Sequence, residues 1–172
     1  RKGSLNQAEE MAHKTLQESL DWLASLMQRI NASNGVLQNL EYDKLQIIIA
    51  PPLPFLQHIL EKIHGYKNVR LAAQNISDKD DGSFTGEVTA RTLANLVSYA
   101  IVGHSERRSL YAEGKEMIEL KIQQAKKHGI EPILCVRNKQ DCEENTVRFI
   151  AYEPVEAIGT GNNYSVENVL TF

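Results

Sequence analysis

The apolar positions of the chain follow two rhythms. From Ala8 through Ala12, Leu16, Leu20, Leu23, Met27 and Ile30 they recur at three- and four-residue spacing, one stripe of an amphipathic helix. Ser4 with Gln7 three positions on predicts its start, because the two side chains can each satisfy a backbone N–H at a helix N-terminus. Turn residues between Asn31 and Gly35 end it, and Trp22, beside the stripe, reads as packing rather than as a binding platform. After that come short apolar runs at 46–50, 69–73, 99–102, 132–136 and 148–152, separated by helical patterns at 55–63, 87–96 and 116–127, with another from Val166. Runs without polar alternation suit strands buried on both faces. Strands alternating with helices predict βαβ units and a parallel sheet. Only 11 residues, 137–147, separate the last two runs. A parallel crossover needs a dozen or so, so the helix there is expected to be minimal or absent.

In a parallel α/β sheet, ligands meet the carboxyl ends of strands and the loops beyond them. The polar residues cluster there. Gln74 and Asn75 follow LAA; Gly103, His104, Ser105 and Glu106 follow YAIV; Glu153 follows FIAY and leads into PVEAIGTG. His104 alone would more often be a hydrogen-bonded strand-end histidine, and acidic residues such as Glu153 often end strands. Gly159 and Gly161 flank Thr160, a loop able to bring N–H groups to an anion and to close over a site. Carboxylate, imidazole and closing loop together suggest abstraction of a proton beside a carbonyl. The carboxylate takes the carbon-bound proton and the imidazole polarises the oxygen where charge develops. A lid excludes water and protects the intermediate.

Other chemistries find less support. His13, His58, His64 and His128 have no carboxylate or cysteine beside them in the sequence pattern, so they read as surface or packing residues and no metal site is expected. Cys135 and Cys142 match neither CxxC nor zinc spacing, which suits a reduced compartment. No dinucleotide GxGxxG occurs and no cofactor is expected. The 172 residues suit one domain, and 42% hydrophobic with 24% charged residues is an ordinary globular composition. With 19 Lys and Arg against 22 Asp and Glu, the net charge of −3 leaves no electrostatic footprint for nucleic acid. No run approaches the ~18 apolar residues of a membrane span. No signal segment precedes the first helix, so a cytoplasmic location is expected. Three Asn-x-Ser triplets, at Asn31, Asn75 and Asn163, read as coincidence.

Six segments carry a family resemblance, in family order: APPLPFL at 50–56, AAQNIS at 72–77, GSFTGEVTA at 82–90, IVGHSERR at 101–108, PILCV at 132–136 and AYEPVEAIGTG at 151–161. The chain resembles the triosephosphate isomerase family over nearly its whole length. The resemblance implies an α/β fold, the parallel (β/α)8 TIM barrel, incomplete here, with 1–172 as a single partial domain carrying strands two to six, five of the eight units. It implies interconversion of dihydroxyacetone phosphate and glyceraldehyde 3-phosphate through an enediolate, with Glu153 as base, His104 as electrophile and residues 154–161 as lid. Gly159 matches the lid residue whose N–H meets the substrate phosphate. Glu106 matches an acidic neighbour of the site, and Thr85 lies in the loop that reaches the second subunit of a homodimer. Gln74, Asn75, Ser105 and Arg107 match support for that loop and for the histidine, and Cys135 a packing cysteine.

The departures sharpen this picture. The family's first strand ends in Asn-x-Lys, a phosphate-holding lysine for which Lys2 is out of register, and its last two strands fall beyond Phe172. Glu156 stands where the family's lid has a tryptophan. Five open strands would leave exposed edges, so these residues are expected to be part of a longer protein rather than to complete themselves with another copy. The alternative is a non-catalytic, isomerase-derived assembly or interaction module that needs a completing partner.

Overall fold

A threonine opens the first described helix. Thr15 N–H donates to Glu18 Oε2 at 2.7 Å and Glu18 N–H donates to Thr15 Oγ1 at 3.3 Å, a reciprocal capping box at the start of α1 (Leu16–Ala32). The computed structural model describes residues 15–32, 46–142 and 147–153, so the expected cap at Ser4 and Gln7, the lid and the helix from Val166 lie outside the described residues. Ser19, Leu23 and Met27 are buried at successive turns of α1, while Leu16, Leu20 and Trp22 are half-buried. The buried stripe is thus rotated from the expected one toward a serine.

Close contacts divide the chain into two units, residues 1–74 with 95–99, and 75–94 with 100–172. In the first, β1 (Ile47–Ile49) pairs in parallel with β2 (Val69–Ala73), Ile47 opposite Val69 and Ile49 opposite Leu71. Pro51 and Pro52 stop β1, since proline cannot donate to a ladder. A 3-10 turn (Leu53–Phe55) then leads into α2 (Leu56–Lys62). Leu56, Ile59 and Leu71 are completely enclosed, each contributing about 1.5–3 kcal/mol of burial. Ser98 N–H donates to Leu71 O at 3.0 Å, tying the approach to the next strand onto β2.

The second unit holds α3 (Ala90–Leu93), β3 (Tyr99–Val102, its first residue counted with the other unit), α4 (Ser105–Leu110), α5 (Lys115–Lys127), β4 (Glu131–Val136) and β5 (Phe149–Tyr152). Helix α3 is shorter than the 87–96 expected. Thr89 is extended and its hydroxyl accepts from Thr92 N–H, and Val88 O accepts from Ser77 N–H, so Glu87 and Val88 belong to a loop. Strands β3, β4 and β5 are neighbours in that order, and β5 lies parallel to β4 with Ile133 opposite Phe149 and Val136 opposite Tyr152. Helix α5 buries Ile118, Ile122 and Ala125, with Lys121 among them. In the connection from β4 to β5 the described residues form one 3-10 turn (Lys139–Asp141), capped by Asn138, whose Oδ1 accepts from Asp141 N–H.

Candidate active site

The end of β3 is built on a glycine and a histidine. Gly103 has φ +72°, a conformation that strains any residue with a β-carbon, and it turns the chain out of the strand. His104 then caps α4: its Nδ1 accepts from Glu106 N–H at 3.3 Å. Sequence reasoning places these residues in a loop, because histidine is not among the usual N-caps. An Nδ1 that accepts bears no proton, so the ring proton lies on Nε2. That Nε2 sits 3.3 Å from Glu153 Oε1.

Glu153 is placed from the neighbouring strands. Its N–H donates to Val136 O at 2.8 Å, extending the β4–β5 ladder by one residue. Its Oε2 accepts from Ser105 N–H at 3.2 Å, and only 11% of the side chain is exposed. The buried thiol of Cys135 feels this carboxylate electrostatically. Burial pushes that thiol up, and the negative charge of Glu153 raises it further. An imidazole N–H and a carboxylate therefore face each other at a strand-end rim, the carboxylate parked on a backbone N–H.

The other residues singled out in the sequence are distributed around this pair. Ser105 contributes its backbone N–H. Glu106 is exposed, its Oε2 3.8 Å from His104 Nδ1. Arg107 points away from the pair: its Nε donates to Glu113 Oε1 at 2.5 Å and its guanidinium lies over Tyr111. Lys121 Nζ donates to the same Glu113 oxygen at 2.5 Å and to Asn75 Oδ1 at 2.8 Å, so Asn75 belongs to a buried ion cluster. Desolvation lowers the Lys121 ammonium pKa, against the bond from Glu113. In the first unit, Gln74 Nε2 donates to Ala50 O at 2.9 Å. Thr85 lies in an exposed loop, and Gly159 lies outside the described residues.

Some partners escape a sequence reading. Arg108 Nε donates to Gly103 O at 2.6 Å and its Nη2 to Cys135 O at 3.1 Å, while Nη1 lies 3.4 Å from Asp141 Oδ1. Arg137 grips Asp141 at 2.9 and 3.0 Å. The expectation that His128 lacks a carboxylate is corrected: its Nε2 lies 2.6 Å from Asp80 Oδ1, and Lys127 bonds the other oxygen. Asp80 stands 48 positions earlier, beyond any local pattern. The buried lysine had one signal, a charge at Lys121 on the apolar stripe of α5.

Comparison with known proteins gives a consistent result. The family described as triosephosphate isomerase matches residues 11–171. The triosephosphate isomerase of Hahella chejuensis is 36% identical over 156 residues, covering 78% of this chain and 62% of that protein. That of Symbiobacterium thermophilum is 37% identical over 175 residues, covering 88% and 64%. The chain thus spans less than two thirds of the length of these curated relatives. The crystal structure of triosephosphate isomerase from Bartonella henselae aligns with a TM-score of 0.51 and 31% identity, over 59% of this chain and 44% of that one. The fold is a partial (β/α)8 barrel.

Proposed function

The chain belongs to the triosephosphate isomerase family, and we propose that the protein interconverts dihydroxyacetone phosphate and glyceraldehyde 3-phosphate by proton transfer through an enediolate. The observation that carries this reading is the facing pair: His104 Nε2–H, its tautomer set by the Glu106 N–H, 3.3 Å from Glu153 Oε1. With substrate bound between them, Glu153 leaves the Ser105 N–H and takes the proton from the carbon beside the carbonyl. His104 Nε2–H donates to the carbonyl oxygen as negative charge gathers there. The Nε2 proton passes to that oxygen, and the same nitrogen takes the hydroxyl proton from the carbon that lost its hydrogen. As the new carbonyl forms there, Glu153 returns its proton to the adjacent, former carbonyl carbon, so no net proton is gained or lost. In the same reading the lid at 154–161 excludes water, and Gly159 N–H meets the phosphate. Ser105 and Glu106, whose N–H groups bond Glu153 and His104, support the rim.

The protein is further proposed to act as a homodimer in the cytoplasm, the loop around Thr85 reaching the second subunit; residues 81–87, Phe84 among them, are exposed. Among the described residues no helix is long and apolar enough to cross a membrane. The relatives in Hahella chejuensis, Picosynechococcus and Symbiobacterium thermophilum bear the isomerase name, which does not favour a non-catalytic assembly module. The test is a coupled assay of glyceraldehyde 3-phosphate isomerisation in the wild type and in Glu153→Gln. Removing the base is expected to lower kcat by about 10³–10⁴-fold with the fold intact by circular dichroism. Equal rates in the two proteins, or an inactive wild type, overturn the reading.

A further inference from the structure

We propose that Arg108 is a positioning residue for the His104–Glu153 pair, and that Asp141, on the shortened connection after β4, holds it in place. Arg108 touches neither reacting group. It grips the backbone beside each of them: Gly103 O, one residue before His104, at 2.6 Å, and Cys135 O, one residue before Val136, whose carbonyl holds the Glu153 N–H, at 3.1 Å. A guanidinium is planar and offers its donors in a rigid fork, so two carbonyls bonded to one fork are fixed relative to each other. Both belong to strand ends, β3 and β4. Their spacing sets how far the imidazole stands from the carboxylate.

The packing around the fork is tight. A β-carbon on Gly103 would lie 2.9 Å from Arg108 Nη2 and 3.4 Å from Ile118 Cδ1, so glycine there serves the approach of the guanidinium as well as the turn. The Arg108 side chain is only 10% exposed, and a buried cation needs a counter-charge. Asp141 supplies it, itself 9% exposed and locked by two bonds from Arg137. Arg137 and Asp141 both lie in the stretch too short for a full crossover helix. That stretch therefore presents one carboxylate to the underside of the site.

This inference rests on the proposed isomerase activity, and its test separates the two. Arg108→Lys keeps the charge and removes the fork. The expected result is kcat lower by about 10–100-fold with KM within about twofold, as for a small misplacement of reacting groups, and a crystal structure in which the His104 Nε2 to Glu153 Oε1 separation departs from 3.3 Å. A staple that merely holds two strands together would lower the melting temperature and leave kcat per folded molecule unchanged. Wild-type kcat in folded Arg108→Lys overturns the proposal. If the unmodified protein shows no isomerase turnover, the functional reading fails and the separation in the variant decides: moved supports the positioning role, unmoved overturns it. Should Arg108→Lys not fold, Asp141→Asn leaves the guanidinium but removes its counter-charge. A several-fold fall in kcat at constant KM is then expected, and wild-type kcat overturns the proposal.

Discussion

Glu113 and Glu153 lie in the same unit, both largely enclosed, and are held in opposite ways. Glu113, its side chain 2% exposed, receives Arg107 Nε and Lys121 Nζ on one oxygen, both at 2.5 Å. Glu153 rests on a peptide N–H at 3.2 Å and an imidazole nitrogen at 3.3 Å. A buried lysine and a half-buried arginine lock a carboxylate, because moving it would strand Lys121 and the carboxylate itself in a poorly solvated site. Neutral donors at longer range let it exchange partners. The scaffold fixes its charge; the candidate site leaves its charge free to move.

Three substitutions probe that contrast. Glu113→Ala leaves Arg107 and Lys121 without their shared partner and is expected to cost about 3–5 kcal/mol of stability, roughly 8–16 °C in melting temperature for a chain of this size. Chemical denaturation should show this while kcat per folded molecule stays within about threefold of wild type. A comparable fall in kcat would mean the two carboxylates are not separable. His104→Asn comes next. Asparagine can cap α4 in place of the imidazole, so stability should be nearly unchanged, while losing the Nε2 donor should lower kcat by about 10²-fold. Retained activity would remove His104 from the chemistry.

The smallest effect belongs to the exposed cluster at Asp80. The bond from Lys127, then that from His128, holds this carboxyl below the usual carboxylate range, against an opposing effect of burial. A depressed carboxylate contributes stability that is present above its unfolded value, near pH 4, and is lost as pH falls through its lowered folded value. Asp80→Asn should therefore shift the urea midpoint slightly at pH 7 and not at pH 2, and the shift should shrink in high salt. A salt-independent shift would place this cluster with Glu113 rather than with the surface.

Much of this was readable from the chain. The runs at 46–50, 69–73, 99–102, 132–136 and 148–152 match the five strands to within one residue, because each is a short, largely apolar run. The expected burial on both faces holds for most of β2 and the end of β4, but not for β5, where Ile150 is 51% exposed. His104 and Glu153 were legible because they end such runs. Helix α4 was not: its cap is an imidazole, and only the three-dimensional position of His104 turns Nδ1 toward the Glu106 N–H. The same limit hid Arg108. Its partners at Gly103 and Cys135 are backbone carbonyls, which every residue has and no sequence pattern marks. Lys121 was half-visible, since a lysine on an apolar stripe demands a buried partner but does not say which.

The shortness of the connection after β4 also bears on how the chain assembles. Ile133 and its partner Phe149 are 16 residues apart (149 − 133), whereas Ile47 and Val69 are 22 apart (69 − 47). Closing the shorter loop loses less chain entropy by about 0.3 kcal/mol, too little to order the two events by itself. The bonds inside that connection add to it, since Arg137 and Asp141 pair twice and Asn138 caps the turn between them. A segment already bent has fewer conformations left to surrender, and contacts of short separation are met early in a folding search. The strand that leads into Glu153 thus joins the sheet through its nearest neighbour in sequence, and the Glu153 N–H reaches Val136 O as a by-product of local closure.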